Sequence, residues 1–201
     1  MTAELVTGWE STAVPPGDLL CAAEAISGEA PLALGELSES MRLMDSYGDV
    51  QAELARVVDE AESNLSITGS RSRDPNYLAR IETAVAQRPE LIHTRVLYGP
   101  PRHSATKQHL LRLIDLQRSP DTLHIGLLRD LLRDGERFIA TNERTAVLVV
   151  PSKWSLHNFD TALVIDDEET AGLYTAHVHQ AWLASEPLST REDIAQLEIV
   201  R

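Results

Sequence analysis

Between residues 50 and 186 the apolar side chains switch repeatedly between a period of 3.6 residues and a period of 2. A chain patterned in this way settles as strands covered by helices. Val50, Leu54, Val57, Val58 and Ala61 form one helical stripe. Leu65 to Gly69 then reads as a strand stopped by its glycine. Leu78, Ile81 and Val85 mark a second helix closed by Pro89, and Ile92 to Tyr98 a second strand halted by Gly99-Pro100-Pro101. A helix through Leu110, Leu111 and Ile114 follows. Strand-like runs come next at Thr122–Leu128, Arg137–Thr141, Thr145–Val150 and Thr161–Ile165. A last helix over about 168–185 carries Ala171, Tyr174, Val178, Ala181 and Trp182 on one face. The pattern predicts one α/β domain over 50–186, with a mixed sheet flanked by helices.

The rest of the chain divides around that domain. Residues 1–35 read as a short helical segment. There Pro15-Pro16-Gly17 breaks the chain, Asp18 stands as N-cap, and Leu19, Ala23 and Ile26 follow at helical spacing. Residues 28–48 are rich in Gly, Ser and Glu and read as a linker with a short amphipathic piece, the linker proper being 36–49, and 187–201 read as a C-terminal tail. Of 201 residues 43% are hydrophobic, enough for a real core, but only 4% are aromatic, so aliphatic side chains must fill it. The longest apolar runs fall far short of the ~20 residues a bilayer needs, so no membrane association is expected. Cys21 is the only cysteine, which excludes an intrachain disulfide and a thiolate zinc site; a cytoplasmic location is the expectation.

Charge is unevenly placed. Residues 1–64 hold two arginines against thirteen acidic side chains, a net of −11, and the remainder of the −13 total, −2, falls on residues 65–201. Phosphate neutralisation supplies most non-specific DNA affinity, so such an acidic N-terminal segment disfavours DNA binding by this chain alone.

The stretch Arg137-Phe-Ile-Ala-Thr-Asn142, followed by a strand and then Asn158-Phe-Asp160, resembles one repeat of the phospholipase D superfamily. The element order of 50–186 matches that repeat as well. Laid on the family's His-x-Lys-x4-Asp motif, the histidine position falls on Gly135, the lysine on Arg137 and the aspartate on Asn142. Asp160 takes the acidic position of the Asn-x-Glu element, and Asp166 to Glu169 open the helix that Trp182 closes. The resemblance implies a single phospholipase D-like repeat without the family's nucleophile, since glycine supplies neither nucleophile nor acid. Arg137 keeps a positive charge and can still hold a phosphate or carboxylate. A lone repeat usually pairs with a second copy, so the resemblance also implies a homodimer.

A second resemblance lies at the N-terminus. Val6-Thr-Gly-Trp9-Glu10, then Pro15 to Leu20, then Ala22 to Gly28, is similar to the back half of an XRE-type helix-turn-helix domain of actinobacterial transcriptional regulators. It implies that Thr7 and Trp9 belong to a DNA-contacting helix. It also implies that the first helix of the motif is missing, so DNA is bound only weakly unless a complete motif is supplied. The implied function is a non-catalytic regulator: a sensing and dimerisation body that binds a small anionic ligand. The alternatives are a phosphodiesterase or transferase with a remodelled site, served by His124 or His157, and a plain protein-interaction module.

The residues themselves point to an anion pocket. Ser70-Arg71-Ser72-Arg73 follows a strand and precedes a helix, where open α/β sheets bind ligands and helix N-termini attract anions. The same run also reads as a solvated loop with Asp74 as helix cap. Tyr98-Gly-Pro-Pro-Arg102 should share that edge, or else simply turn the chain. Arg71, Arg73, Tyr98, Arg137, Asn142 and Asn158 are the expected ligand-binding residues. The seven histidines show no strong metal spacing, and His177 and His179 sit on different helix faces. There is no Gly-x-Ser-x-Gly elbow and no phosphate loop, so no metal, cofactor or catalytic residue is expected.

Overall fold

The computed structural model describes residues 40–69, 74–117, 119, 121–128, 138–150 and 161–199. Ser40–Arg201 form one compact unit. The segment 1–35, with Thr7 and Trp9, lies outside the described residues.

The first strand, β1 (Met41–Met44), is followed by α1 (Tyr47–Glu60) and β2 (Asn64–Thr68). Then come α2 (Pro75–Gln87), β3 (His93–Tyr98), α3 (Ser104–Leu116) and β4 (Leu123–Leu127). The chain continues through β5 (Phe138–Thr141), β6 (Thr145–Val150), β7 (Thr161–Asp166) and α4 (Glu168–Leu183), and ends on β8 (Glu186–Pro187) and α5 (Arg191–Ala195). Local chemistry fixes the helix starts. Ser46 caps α1 by accepting from the Asp49 amide, and Asp74 caps α2 from the Asn76 and Tyr77 amides with Pro75 in the first turn. Asp167 caps α4 in the same way.

Among the described residues the strands form one sheet in the order β1-β7-β6-β5-β2-β3-β4-β8. β2, β3 and β4 are parallel, and every other pairing is antiparallel. The connections β2-α2-β3 and β3-α3-β4 are the crossovers that parallel neighbours require. Alternation along the strands sorts the core into two faces. Leu65, Ile67, Val96, Ile125, Ala140, Val147 and Val164 face α1, α2 and α3 in the main core. Leu97 and Ile139 face the other way, onto Val178 of α4, with Tyr174, Ala181 and Trp182 around them.

Two regions differ from the sequence expectation. Residues 36–49 are not all linker. Met41–Met44 pair antiparallel with Ala162–Ile165, and Arg42 bonds to Glu53 of α1 at 3.1 Å and to Asp166 at 2.8 Å. The partner strand lies over a hundred residues away, so nothing local announces the pairing. Nor is 187–201 a free tail. β8 extends the sheet beside Gly126 and Leu127, and α5 starts with a capping box between Thr190 and Asp193 and buries Ile194 in the main core.

Two glycines allow close approach. Gly69 has φ +111°, and a Cβ there would lie 2.5 Å from the Phe138 ring, so β2 can end against β5 only without a side chain. At Gly126 a Cβ would lie 2.3 Å from the Ser185 hydroxyl, where the end of α4 crosses β4.

Candidate functional site

Strand direction gathers several chain segments at one edge of the sheet. β2, β3 and β4 run in parallel and leave at their C-terminal ends, through Gly69, Tyr98 and Leu127. β5 is antiparallel to β2, so it enters at this edge, and Phe138 pairs with Val149 near the end of β6. Val150 in turn pairs with Thr161 at the start of β7. The residues flanking 70–73, 129–137 and 151–160 therefore all stand on the same edge. Arg71, Arg73, Arg137 and Asn158 themselves lie outside the described residues.

Tyr98 is the expected ligand-binding residue that the structure places here. It is almost wholly buried, pointing into the main core under the edge rather than out of it. Its ring lies 6.0 Å from that of His109, and the Tyr77 ring lies 6.0 Å from Phe138. Burial holds the Tyr77 phenol well above its ordinary pKa, so it stays a proton donor.

His109 is the residue that sequence reasoning missed. It is fully buried on α3, and its Nδ1 lies 2.6 Å from Glu82 of α2. Arg112 donates from Nε to the other Glu82 oxygen at 2.7 Å. Burial works against ionisation of Glu82, but hydrogen bonds from His109 and Arg112 outweigh it and hold the carboxyl below its ordinary value. Burial likewise depresses His109, against the pull of Glu82, so the imidazole is neutral. An ionised Glu82 accepts, so Nδ1 carries the proton and Nε2 is left as an acceptor. Nε2 is buried with no hydrogen-bond partner. A neutral acceptor and the neutral Tyr77 phenol in an apolar surround can orient a polar group, or a proton, but do not by themselves hold an anion.

Asn142 does not belong to this edge. Thr141 pairs with Ser66, so Asn142 lies beyond the opposite end of β5, about 13 Å from Phe138 at ~3.3 Å per residue. Its amide is committed there. Oδ1 accepts from the Arg144 and Thr145 amides, both at 2.9 Å, and Nδ2 donates to the Val57 carbonyl at 3.0 Å. The expected grouping of Asn142 with Tyr98 is therefore corrected: the residue closes the β5–β6 turn and ties it to α1. Next to it, Glu143 accepts from the amides of Glu62 at 3.1 Å, Ser63 at 2.6 Å and Asn64, and from the Ser63 hydroxyl at 2.9 Å. Burial opposes its ionisation, but those donors win and its carboxyl is held below the ordinary value. Among the described residues no three His, Cys, Asp or Glu side chains converge as metal ligands. Nor is any helix of the described residues long and apolar enough to cross a membrane.

No family model and no curated protein sequence matches the chain. Solved structures do. TrmBL2, described as an archaeal chromatin protein with a novel mode of DNA binding, is similar at 15% identity and a TM-score of 0.57 over 86% of this chain; the chain spans 64% of TrmBL2, just under two thirds. Nuc of Salmonella typhimurium, described as a phospholipase D family member, is similar at 10% identity and a TM-score of 0.59, over 75% of this chain and 99% of Nuc. The phosphatidylserine synthase of Haemophilus influenzae is similar at 14% identity and a TM-score of 0.56, over 78% of this chain and 42% of that one. The fold is phospholipase D-like. At these identities the likeness is one of fold. Of the three positions laid on the family motif, Gly135 and Arg137 lie outside the described residues, and Asn142 is the turn residue described above.

Two outcomes follow for that turn. Asn142→Ala leaves a buried carbonyl and two amides short of partners, and should lower unfolding stability by about 2–3 kcal/mol in urea titrations. Glu143 ionises more readily folded than unfolded. Its stabilisation is present above the ordinary carboxyl value, near ~4.3, and is lost as pH falls through the lower folded value. Thermal melts should therefore show an acid decline below about pH 4 that is shallower in Glu143→Gln.

Proposed function

We propose that the protein is a non-catalytic regulator: the sensing and dimerisation body of an XRE-type transcriptional regulator, which binds a small anionic ligand at the C-terminal edge of its sheet. One observation carries this reading. On a phospholipase D-like fold, the motif positions for histidine and lysine hold Gly135 and Arg137, and the remaining one, Asn142, is spent on a turn. What is left to the edge is cationic and polar rather than nucleophilic. Arg71, Arg73 and Arg137 supply charge and Asn158 hydrogen bonding, with Tyr98 packed in the core under the edge.

The likeness to a DNA-binding chromatin protein supports a regulatory context for the fold. In this reading Thr7 and Trp9 contact DNA, weakly unless a complete helix-turn-helix is supplied, because the N-terminal segment is strongly acidic. A homodimer presents two such heads to two half-sites. Leu43 on β1 and Leu173 and Leu183 on α4, each more than half exposed, are apolar surface available to a second copy.

A second reading, a remodelled phospholipase D-like phosphodiesterase, rests on His109. Its orientation by Glu82 beside Tyr98 is what a general base requires. The regulator reading is the better supported, since His109 is sealed in the core.

Isothermal titration of the full chain with inorganic phosphate tests the anion site. Saturable binding is expected, weakened about tenfold or more in Arg71→Gln/Arg73→Gln and in Arg137→Gln, as for loss of a charge-assisted contact. Binding that both variants leave unchanged would contradict the assignment.

A further inference from the structure

The face of the sheet under α4 carries a polar row that the reading above does not use. Cross-strand register sets Thr141, Ser66, Arg95 and His124 side by side on β5, β2, β3 and β4. All four point away from the main core, because their strand neighbours Ala140, Ile67, Val96 and Ile125 lie in it. The end of α4 closes over the Arg95–His124 portion. The Trp182 ring lies 4.8 Å from that of His124, and His179 stacks on Trp182 at 6.1 Å with an interplanar angle of 16°.

This small region concentrates buried polar atoms that have no hydrogen-bond partner: Ser66 Oγ, Arg95 Nε, His179 Nδ1 and Trp182 Nε1. Two of them, the guanidinium Nε–H and the indole N–H, can only donate. Leaving donors unsatisfied is costly, so the site calls for an acceptor. It also calls for a negative one. Arg95 has no carboxylate within ion-pair distance among the described residues, in a chain of net charge −13. The positive character is felt locally. Burial depresses the His124 pKa and Arg95 on β3 pushes it further down; a hydrogen bond to the Asp121 backbone in the preceding turn pulls the other way, and His93 adds a smaller downward push. Arg95, His124, His179 and Trp182 are each only partly buried as residues, so their side chains reach the surface although the unpaired atoms themselves are covered.

We propose that Arg95, His124, His179 and Trp182 form an oxyanion-binding site on the α4 face, taking a phosphoryl or carboxyl group of a small molecule. The planar guanidinium and the indole N–H donate to its oxygens, and His124 becomes a further charged donor once the anion is bound. The site lies towards the N-terminal ends of β3 and β4 and on the opposite face from Tyr98, so it stands independently of the edge pocket.

Trp182 reports on this site. In the full chain with Trp9→Phe and Trp154→Phe, leaving Trp182 as the sole indole, inorganic phosphate and acetate are titrated separately while emission is followed. A saturable change is expected with at least one of them, and which one answers distinguishes a phosphoryl from a carboxyl ligand. Arg95→Gln should weaken it about tenfold, and Arg137→Gln should leave it unchanged. If Arg95→Gln fails to fold, the His124 imidazole resonances in the otherwise unaltered chain serve instead, and should shift downfield as the anion saturates. No saturable response to either anion, or a response abolished by Arg137→Gln and kept in Arg95→Gln, would overturn the proposal. The latter would assign the anion to the edge pocket.

Discussion

The pairing of β2 with β5 holds the domain together. It joins the parallel strands β2, β3 and β4 to the antiparallel set β5, β6, β7 and β1, and its register rests on two residue pairs, Ser66 with Thr141 and Ile67 with Ala140. So short a seam needs fixing at both ends. At one end the Ile139 amide donates to the Thr68 hydroxyl at 2.9 Å, and Gly69 lets the backbone lie against the Phe138 ring. At the other, Asn142 and Glu143 tie the β5–β6 turn to the end of α1 and the start of β2. A slip of one residue would exchange the two faces of β5, bringing Ile139 and Thr141 into the main core in place of Phe138 and Ala140.

Because the seam is antiparallel, it assigns functions to edges. It brings the start of β5 and the end of β6 to the C-terminal ends of β2, β3 and β4, and sends the Asn142 turn to the far side. The far side is given over to structure. There Asp166 accepts from Arg56 at 2.6 Å, Arg42 at 2.8 Å and the Thr145 hydroxyl at 2.8 Å, clamping β1, α1 and β7. These donors outweigh the burial that opposes its charge and hold its carboxyl below the ordinary value. Among the described residues, the C-terminal edge around Tyr98 brings together aromatic rings and the oriented imidazole of His109.

Much of this architecture was legible in the sequence, and the limits were physical. Runs such as Ile92–Tyr98 and Thr145–Val150, and the α1 stripe from Val50 to Val58, declare their class because one face of each must be buried. β1 was lost because a four-residue edge strand carries little periodicity, and its partner residues 162–165 lie far along the chain. α5 was lost because its five residues show a capping box but only one buried side chain, Ile194. The turn role of Asn142 is hidden in the sequence because a motif laid along one strand cannot say which end of the strand a residue stands at. The contacts of His109 with Glu82, and of Arg95 with His124, join separate elements, so no spacing within either element reveals them.

Taken together, the fold supplies a phospholipase D-like frame, and the proposed reading gives its motif positions, Gly135, Arg137 and Asn142, charge and structure in place of a nucleophile. Turnover of a phosphodiester such as bis(p-nitrophenyl) phosphate by the purified full chain is the most direct test of that claim. The expected result is no hydrolysis above the buffer rate. Hydrolysis that persists through purification and disappears in His109→Ala or His124→Ala would contradict it, and would make the frame an enzyme with its catalytic histidine moved.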